Sequence, residues 1–190
     1  MAKKKSSLVN MLIALFVITL VSGAVLGKIY MLTKEPIENA KKAKTENAVK
    51  EVLPAFSTLK EYSVEATDLK KGDFIIFREA YDGDGLLVGT AIETITDKGF
   101  GGRVKLMVGL LPDMTINKIS VLSQAETPGL GAKMTGIFKD QFDGKKVNGE
   151  MKVKKDGGDV DAITAATISS RAFCDAVNRA INYYKQEKGE

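Results

Sequence analysis

Asp161-Ala162-Ile163-Thr164-Ala165-Ala166-Thr167-Ile168-Ser169-Ser170 brings together four hydroxyl side chains, three alanines and one carboxylate. An amphipathic pattern follows at once. From Ile168 the apolar positions recur at Ala172, Ala176, Val177, Ala180, Ile181 and Tyr184, which is the spacing of a helix with one buried face. The hydroxyls therefore stand where a helix begins. A helix start presents unpaired N–H groups and the positive end of the dipole. Two uses stay open for this segment. Thr167 or Ser169 can cap the helix, or the amides and hydroxyls can hold a phosphate, with small side chains letting the ligand reach the backbone.

Upstream, the periodicity changes to that of strands. Val104, Leu106, Val108 and Leu110 alternate with Arg103, Lys105, Met107 and Gly109, predicting a strand with one buried face. Thr115 to Leu122 reads as the next strand, with Ile119 and Val121 inward and Pro112-Asp113 as the turn before it. Phe74 to Phe77 and Leu86 to Ile95 are two earlier β-rich runs, joined by Asp82-Gly83-Asp84-Gly85. That joint lacks the remaining ligands of a calcium loop and reads as a hairpin turn. After the Thr115 strand comes Gln124-Ala125-Glu126-Thr127-Pro128-Gly129-Leu130-Gly131-Ala132-Lys133. Pro-Gly predicts a type II turn, and the glycine two residues on allows close approach of backbone to a ligand. Three or four antiparallel strands with helices before and after make an α+β domain, placed over residues 73–190.

The N-terminal part is different. Residues 1–7 are basic, with Lys3, Lys4 and Lys5. Leu8 to Gly27 runs without a charge, the length a membrane span needs, and Lys28 and Tyr30 suit the far interface; residues 8–30 are read as a transmembrane anchor. A cleaved signal peptide has a shorter apolar core and is the competing reading. Residues 31–72 are read as a helical stalk and linker. The helix runs from Glu35 to Leu53, with Pro36 in its first turn and Pro54 at its end. Its apolar face, Ala40, Ala43, Ala48, Val49 and Val52, is weak, as in a solvated stalk. Lys3 to Lys5 place the N-terminus in the cytoplasm, and a long domain translocates whatever its charge, so the C-terminal domain is expected outside.

Composition narrows the chemistry. The chain has 190 residues and a net charge of +4, with lysines too scattered for nucleic-acid binding. It contains no histidine, which removes His-based triads, His-ligated haem and most zinc sites. Its single cysteine, Cys174, excludes an internal disulfide and a cysteine-held iron–sulfur cluster, and its spacing from Val177 and Ile181 places it in the core. No metal site and no catalytic residue are expected, and redox chemistry would require an organic cofactor.

Three segments carry a family resemblance. Asp161-x-x-Thr164-Ala165-Ala166-Thr167 resembles the flavinylation motif Asp-x-x-Ser/Thr-Gly-Ala-Thr of bacterial FMN-binding domains. Glu126-Thr127-Pro128-Gly129-Leu130-Gly131 is similar to a signature shared by the G subunit of Rnf complexes and the C subunit of sodium-pumping NADH:quinone reductases. Gly99-Phe100-Gly101-Gly102 resembles that family's Gly-Tyr-Gly-Gly segment. Two positions depart from the pattern: Ala165 replaces the usual glycine, and Gln124 stands where members often have histidine.

The resemblance implies a membrane-anchored electron carrier with FMN joined through a phosphoester to Thr167. In the resembling family a separate flavin transferase makes that bond from FAD; a threonine hydroxyl needs a base or a metal to activate it, and this chain has no histidine to serve. Asp161, Thr164, Ala165, Ala166, Ser169 and Ser170 would assist at the phosphate. Glu126, Thr127, Gly129, Leu130 and Gly131 would line the ring, with the amides of Gly129 to Gly131 as possible donors. Glu126 has two open roles, holding the loop or setting the charge beside the ring. The short length looks more like the Rnf subunit, relaying electrons while the complex couples ferredoxin:NAD+ electron transfer to Na+ or H+ translocation. The implied partners are other membrane redox subunits and lipid, and the implied location is the bacterial inner membrane. The alternatives are the Nqr C subunit and a non-catalytic anchored interaction or sensor module whose flavin site is empty.

Overall fold

The computed structural model describes residues 8–189. The basic segment 1–7 and the cytoplasmic placement read for it lie outside the described residues. The chain divides after Ala43 into two units.

The described part of the first unit is entirely helical and belongs to α1 (Leu8–Val52). Its uncharged run rises about 30 Å at 1.5 Å per residue, close to the thickness of a bilayer's hydrocarbon core. The large apolar side chains along this run are exposed rather than packed on protein. Among the described residues α1 is the one helix long and apolar enough to cross a membrane. The expected break before Glu35 is absent. Pro36 lies inside α1, so a single helix replaces the separate stalk helix read from Glu35 to Leu53. The reason is local: nothing between Met31 and Glu35 breaks a helix, and the lost hydrogen bond and carbonyl crowding at one proline are carried by the helical turns on either side.

The second unit starts at Lys44 and contains the end of α1, five strands, a short helix α2 (Ile137–Asp140) and the long helix α3 (Thr167–Lys188). The strands are β1 (Thr58–Glu65), β2 (Phe74–Tyr81), β3 (Leu87–Thr96), β4 (Val104–Leu110) and β5 (Ile116–Ser123). They form one sheet in chain order, each antiparallel to the next. The α+β architecture is the one expected, with one more strand than the pattern predicts. β1 falls within the stretch read as stalk and linker. It escapes pattern reading because it is an edge strand whose only partly buried side chains are Tyr62 and Val64. At the β2–β3 hairpin the Asp82 carboxylate accepts from the amides of Asp84 and Leu86, each at 2.9 Å, so this loop is a turn held by its own side chain.

One face of the sheet carries Phe77, Ile92, Leu106, Val108 and Ile119, which share a core with Phe173, Ala176, Val177, Ala180 and Ile181 of α3. Phe138 of α2, Phe142 and Phe173 form an aromatic cluster at the same level. The other face is covered as well, contrary to the alternation read for β4. Ala80, Ala91, Met107 and Leu122 pack with Ala48, Val49, Val52 and Leu53 at the end of α1. Gly109 makes this approach possible, because a Cβ there would collide with the Val52 carbonyl. The contact is fixed by polar groups: Lys44 Nζ donates to the Leu122 carbonyl at 2.6 Å, and Asn117 Nδ2 to that of Val52 at 2.8 Å. The last turns of the stalk are therefore core, not a solvated spacer.

Candidate functional site

Helix α3 begins without a side-chain cap. Its N-cap residue is Ala166, which has no hydroxyl. The Ser170 amide donates to the Ala166 carbonyl at 3.0 Å and opens the ladder, so the amides of Thr167, Ile168 and Ser169 stand ahead of it. The hydroxyl caps considered for Thr167 and Ser169 are not formed. Ser170, which is buried, donates to the Ala166 carbonyl at 3.0 Å and accepts from the Ile163 amide at 2.9 Å. It staples the turn that leads into the helix. That turn requires Ala165 at φ 59°, in the left-handed region that favours glycine. The glycine common at this position in the resembling motif thus has a backbone reason.

Ser169 turns the other way. Its hydroxyl donates to Glu126 Oε2 at 2.6 Å, a bond between two buried side chains. Glu126 Oε1 accepts from the Gly101 amide at 3.2 Å. The amide of Glu126 is itself held by the Gln124 side-chain oxygen. Gln124 therefore shapes the loop, a role that needs no proton transfer. One carboxylate thus joins three segments that are far apart in the chain: the glycine loop at 99–102, the Glu126–Gly131 loop, and the start of α3. Space around it is tight. A Cβ at Gly131 would strike Ser169 Oγ and Glu126, and one at Gly101 would strike the Ala125 carbonyl. Next along, the Leu130 amide donates to the Thr127 carbonyl at 3.1 Å and closes the Pro-Gly turn. That amide is thereby withdrawn from the ring donors anticipated between Gly129 and Gly131.

These segments enclose a cleft of about 350 Å³, lined by Phe100, Glu126, Thr127, Leu130, Gly131 and the 165–169 segment. The volume falls at the lower end of the range for small-molecule sites, roughly 300 to 1,000 Å³. Thr167 sits in it, half-buried. Phe100, Leu130 and Ile168 are large apolar side chains left exposed around it. Helical spacing predicts Ile168 on the buried face of α3; it is half exposed and lines this cleft instead, while its neighbours Ser169 and Ser170 turn inward. Not all the anticipated residues meet here. Asp161, Thr164 and Gly129 line a second, more open cleft with Pro128, Ile137 and Phe138. Asp161 is exposed and paired with Lys154 at 2.8 Å. Ser170 reaches neither cleft and works in the turn. Phe100 and Ile168 are wall residues that sequence reasoning misses. The signal available for Phe100 is a lone aromatic between glycines in the 99–102 segment.

The surrounding charges are largely spent on each other. Arg171, one turn beyond Thr167, makes a two-pronged pair with Asp156 at 2.7 and 2.6 Å, which holds that carboxyl below its usual range. Lys98 pairs with Asp175 at 2.6 Å. Cys174 is buried, and desolvation pushes its thiol up to about 12. Among the described residues no group of three or more acidic, cysteine or histidine side chains is placed to hold a metal ion.

Comparison with known proteins places these features. Residues 99–182 match the family model of the FMN-binding domain, an interval that contains all three segments of the cleft. The chain is similar to the G subunit of the ion-translocating oxidoreductase complex of Methanosarcina acetivorans, at 31% identity over 95% of this chain and 96% of that protein. It is similar to the G subunit of the Na(+)-translocating ferredoxin:NAD(+) oxidoreductase complex of Acetobacterium woodii, at 33% identity over 90% of this chain and 88% of that protein. The crystal structure of NqrC from Shewanella oneidensis aligns over 64% of this chain and 62% of that one, with 22% identity and a TM-score of 0.46.

Proposed function

We propose, from the fact that the chain belongs to the family of G subunits of ion-translocating oxidoreductase complexes, that it relays electrons through FMN esterified to Thr167. It is a redox subunit of a translocase with no independent catalysis of its own. In this reading the complex couples ferredoxin:NAD+ electron transfer to movement of Na+ or H+. The observation that carries the reading is the cleft. The hydroxyl of Thr167 makes no hydrogen bond among the described residues, and it stands beside three helix-start amides in a space bounded by apolar side chains.

The residues present fit FMN. A flavin mononucleotide needs a grip for its phosphate and apolar walls for its ring. The amides of Thr167, Ile168 and Ser169 at the positive end of α3 supply the first. Phe100, Leu130 and Ile168 supply the second. Gly131 lets the loop close without filling the cleft. When bound, FMN supplies the electron-carrying chemistry that a chain with no histidine and one inert thiol lacks.

Attachment is assigned to a separate flavin transferase with FAD as donor. A bond forms between Thr167 Oγ1 and the FMN phosphorus, the bond from that phosphorus to AMP breaks, and the hydroxyl proton passes to the transferase. The half-buried position leaves Thr167 reachable by such an enzyme. Asp161 and Thr164 belong to the face the transferase meets rather than to the flavin cleft, because both are exposed and line the other groove. The anchor α1 would span the inner membrane once, with the flavin domain on the outer side and lipid along Leu8 to Leu32.

Co-expression with a flavin transferase, followed by a denaturing gel read for flavin fluorescence, tests the assignment. The wild-type band should fluoresce, and Thr167→Val should be dark with unchanged expression. A dark wild type, or a Thr167→Val band as bright as the wild type, would overturn it.

A further inference from the structure

We propose that Glu126 is a positioning residue whose buried carboxylate, bridging the Ser169 hydroxyl and the Gly101 amide, locks three loops into the shape that presents Thr167 for flavin attachment. The inference rests on the flavin reading above and goes beyond it, since Glu126 is taken out of the set that touches the ring. Both of its oxygens are already used: Oε2 by Ser169 at 2.6 Å and Oε1 by Gly101 at 3.2 Å. The residue is 5% exposed, so little of it remains for a ligand. No basic side chain pairs with it among the described residues. Its charge is offset by those two donors and by the start of α3, where Ser169 is the third residue.

The arrangement is directional. Ser169 lies two residues from Thr167 on the first turn of α3, so holding its hydroxyl fixes the rotation of that turn relative to the Glu126 loop. Gly101 lies beside Phe100, so holding its amide fixes the aromatic wall. Gly101 and Gly131 admit no Cβ, so the three segments meet at close quarters around the carboxylate. Removing the carboxylate strands a buried hydroxyl and an amide, and water enters between the loops.

The test uses the full chain with its flavin transferase and FAD, with rates of covalent attachment read by flavin fluorescence. Hydrogen exchange of the flavin-free chain is read in parallel. Glu126→Ala should slow attachment roughly tenfold to a hundredfold at saturating FAD, as expected when a reacting group is misplaced by about an ångström. Ser169→Ala, which alters no charge, should slow it in the same sense. The double variant should be no worse than Glu126→Ala alone, because both changes remove one interaction. Exchange at the Gly101 amide should accelerate in Glu126→Ala while the amides of Val177 to Ile181 stay protected. That pattern separates a local clamp from general unfolding. Attachment at the wild-type rate in Glu126→Ala, or additive losses in the double variant, would overturn the clamp while leaving the flavin assignment standing. Failure of the wild type itself to take up flavin would overturn both.

Discussion

At the scale of single residues, Ala165 is the most informative position. Its φ of 59° places an alanine where the chain prefers glycine. The left-handed region costs a residue with a Cβ roughly 1 to 2 kcal/mol, and glycine returns part of that through its freer unfolded chain. Ala165→Gly should therefore raise stability by about 1 kcal/mol in urea titration and leave flavin attachment at least as fast; a lower stability would contradict the turn described. Cys174 gives a second check. Burial pushes its thiol up to about 12, so it should not react with a disulfide reagent at about pH 8 until the protein unfolds. Rapid labelling of native protein would place it outside the core. The burial of Cys174 is legible from its spacing to Val177 and Ile181. Which of the two roles open to Glu126 it performs, and with which partners, is not. Its two hydrogen bonds reach across 43 and 25 positions in the chain, and local pattern carries no information on such contacts.

At the scale of elements, the strands with clear alternation are readable, and the elements that depend on a distant partner are not. Alternation in β4 predicts one wet face, because nothing in Met107 or Gly109 announces that the end of α1 will cover it. The same blindness makes Ala48, Val49 and Val52 look like a weak stripe on a stalk. They are three contacts of a second core layer. Gly109→Ala tests that layer directly. The added methyl meets the Val52 carbonyl, so the helix end must shift and uncover Ala91 and Met107, at a cost of about 1 to 3 kcal/mol. Urea unfolding of the membrane-extracted protein should show the loss. An unchanged midpoint would mean that the end of α1 does not sit on the sheet. The hydroxyls and the apolar spacing locate the start of α3 correctly, but for a reason other than capping. Ser170 and Ser169 brace the approach, and Ala166 leaves the first amides open.

At the scale of the whole molecule, a helix with the composition of a membrane span and a sheet-and-helix domain with a small-molecule cleft are what a membrane-anchored subunit of a redox complex requires. Ion pairs on the domain add a pH dependence whose sign follows from their direction. Hydrogen bonds from Arg103 hold Asp97 down to about 2 and lower Asp73 as well. Carboxyls depressed in the folded state contribute stability above their unfolded pKa, near 4, and lose it as pH falls through their folded values. Urea midpoints should thus hold from about pH 7 to about 4 and fall towards about pH 2. In Arg103→Leu the fall should be shallower and the plateau lower. An acid limb of the same steepness in the variant would show that other groups control it. The anchor, four of the five strands and both signature loops can be read from the chain. The partition of the motif residues between two clefts cannot, since it depends on which way a turn at Ala165 faces each side chain.

The redox role depends above all on Thr167 carrying the flavin. Trypsin cuts after Lys155 and Arg171, releasing residues 156–171 as one peptide that contains both Thr164 and Thr167. Mass spectrometry of that peptide, from protein matured with a flavin transferase, is the most direct measurement. The predicted result is a peptide heavier by one FMN less one water, with fragment ions placing the addition on Thr167. An unmodified peptide, or an addition on Thr164, would contradict it.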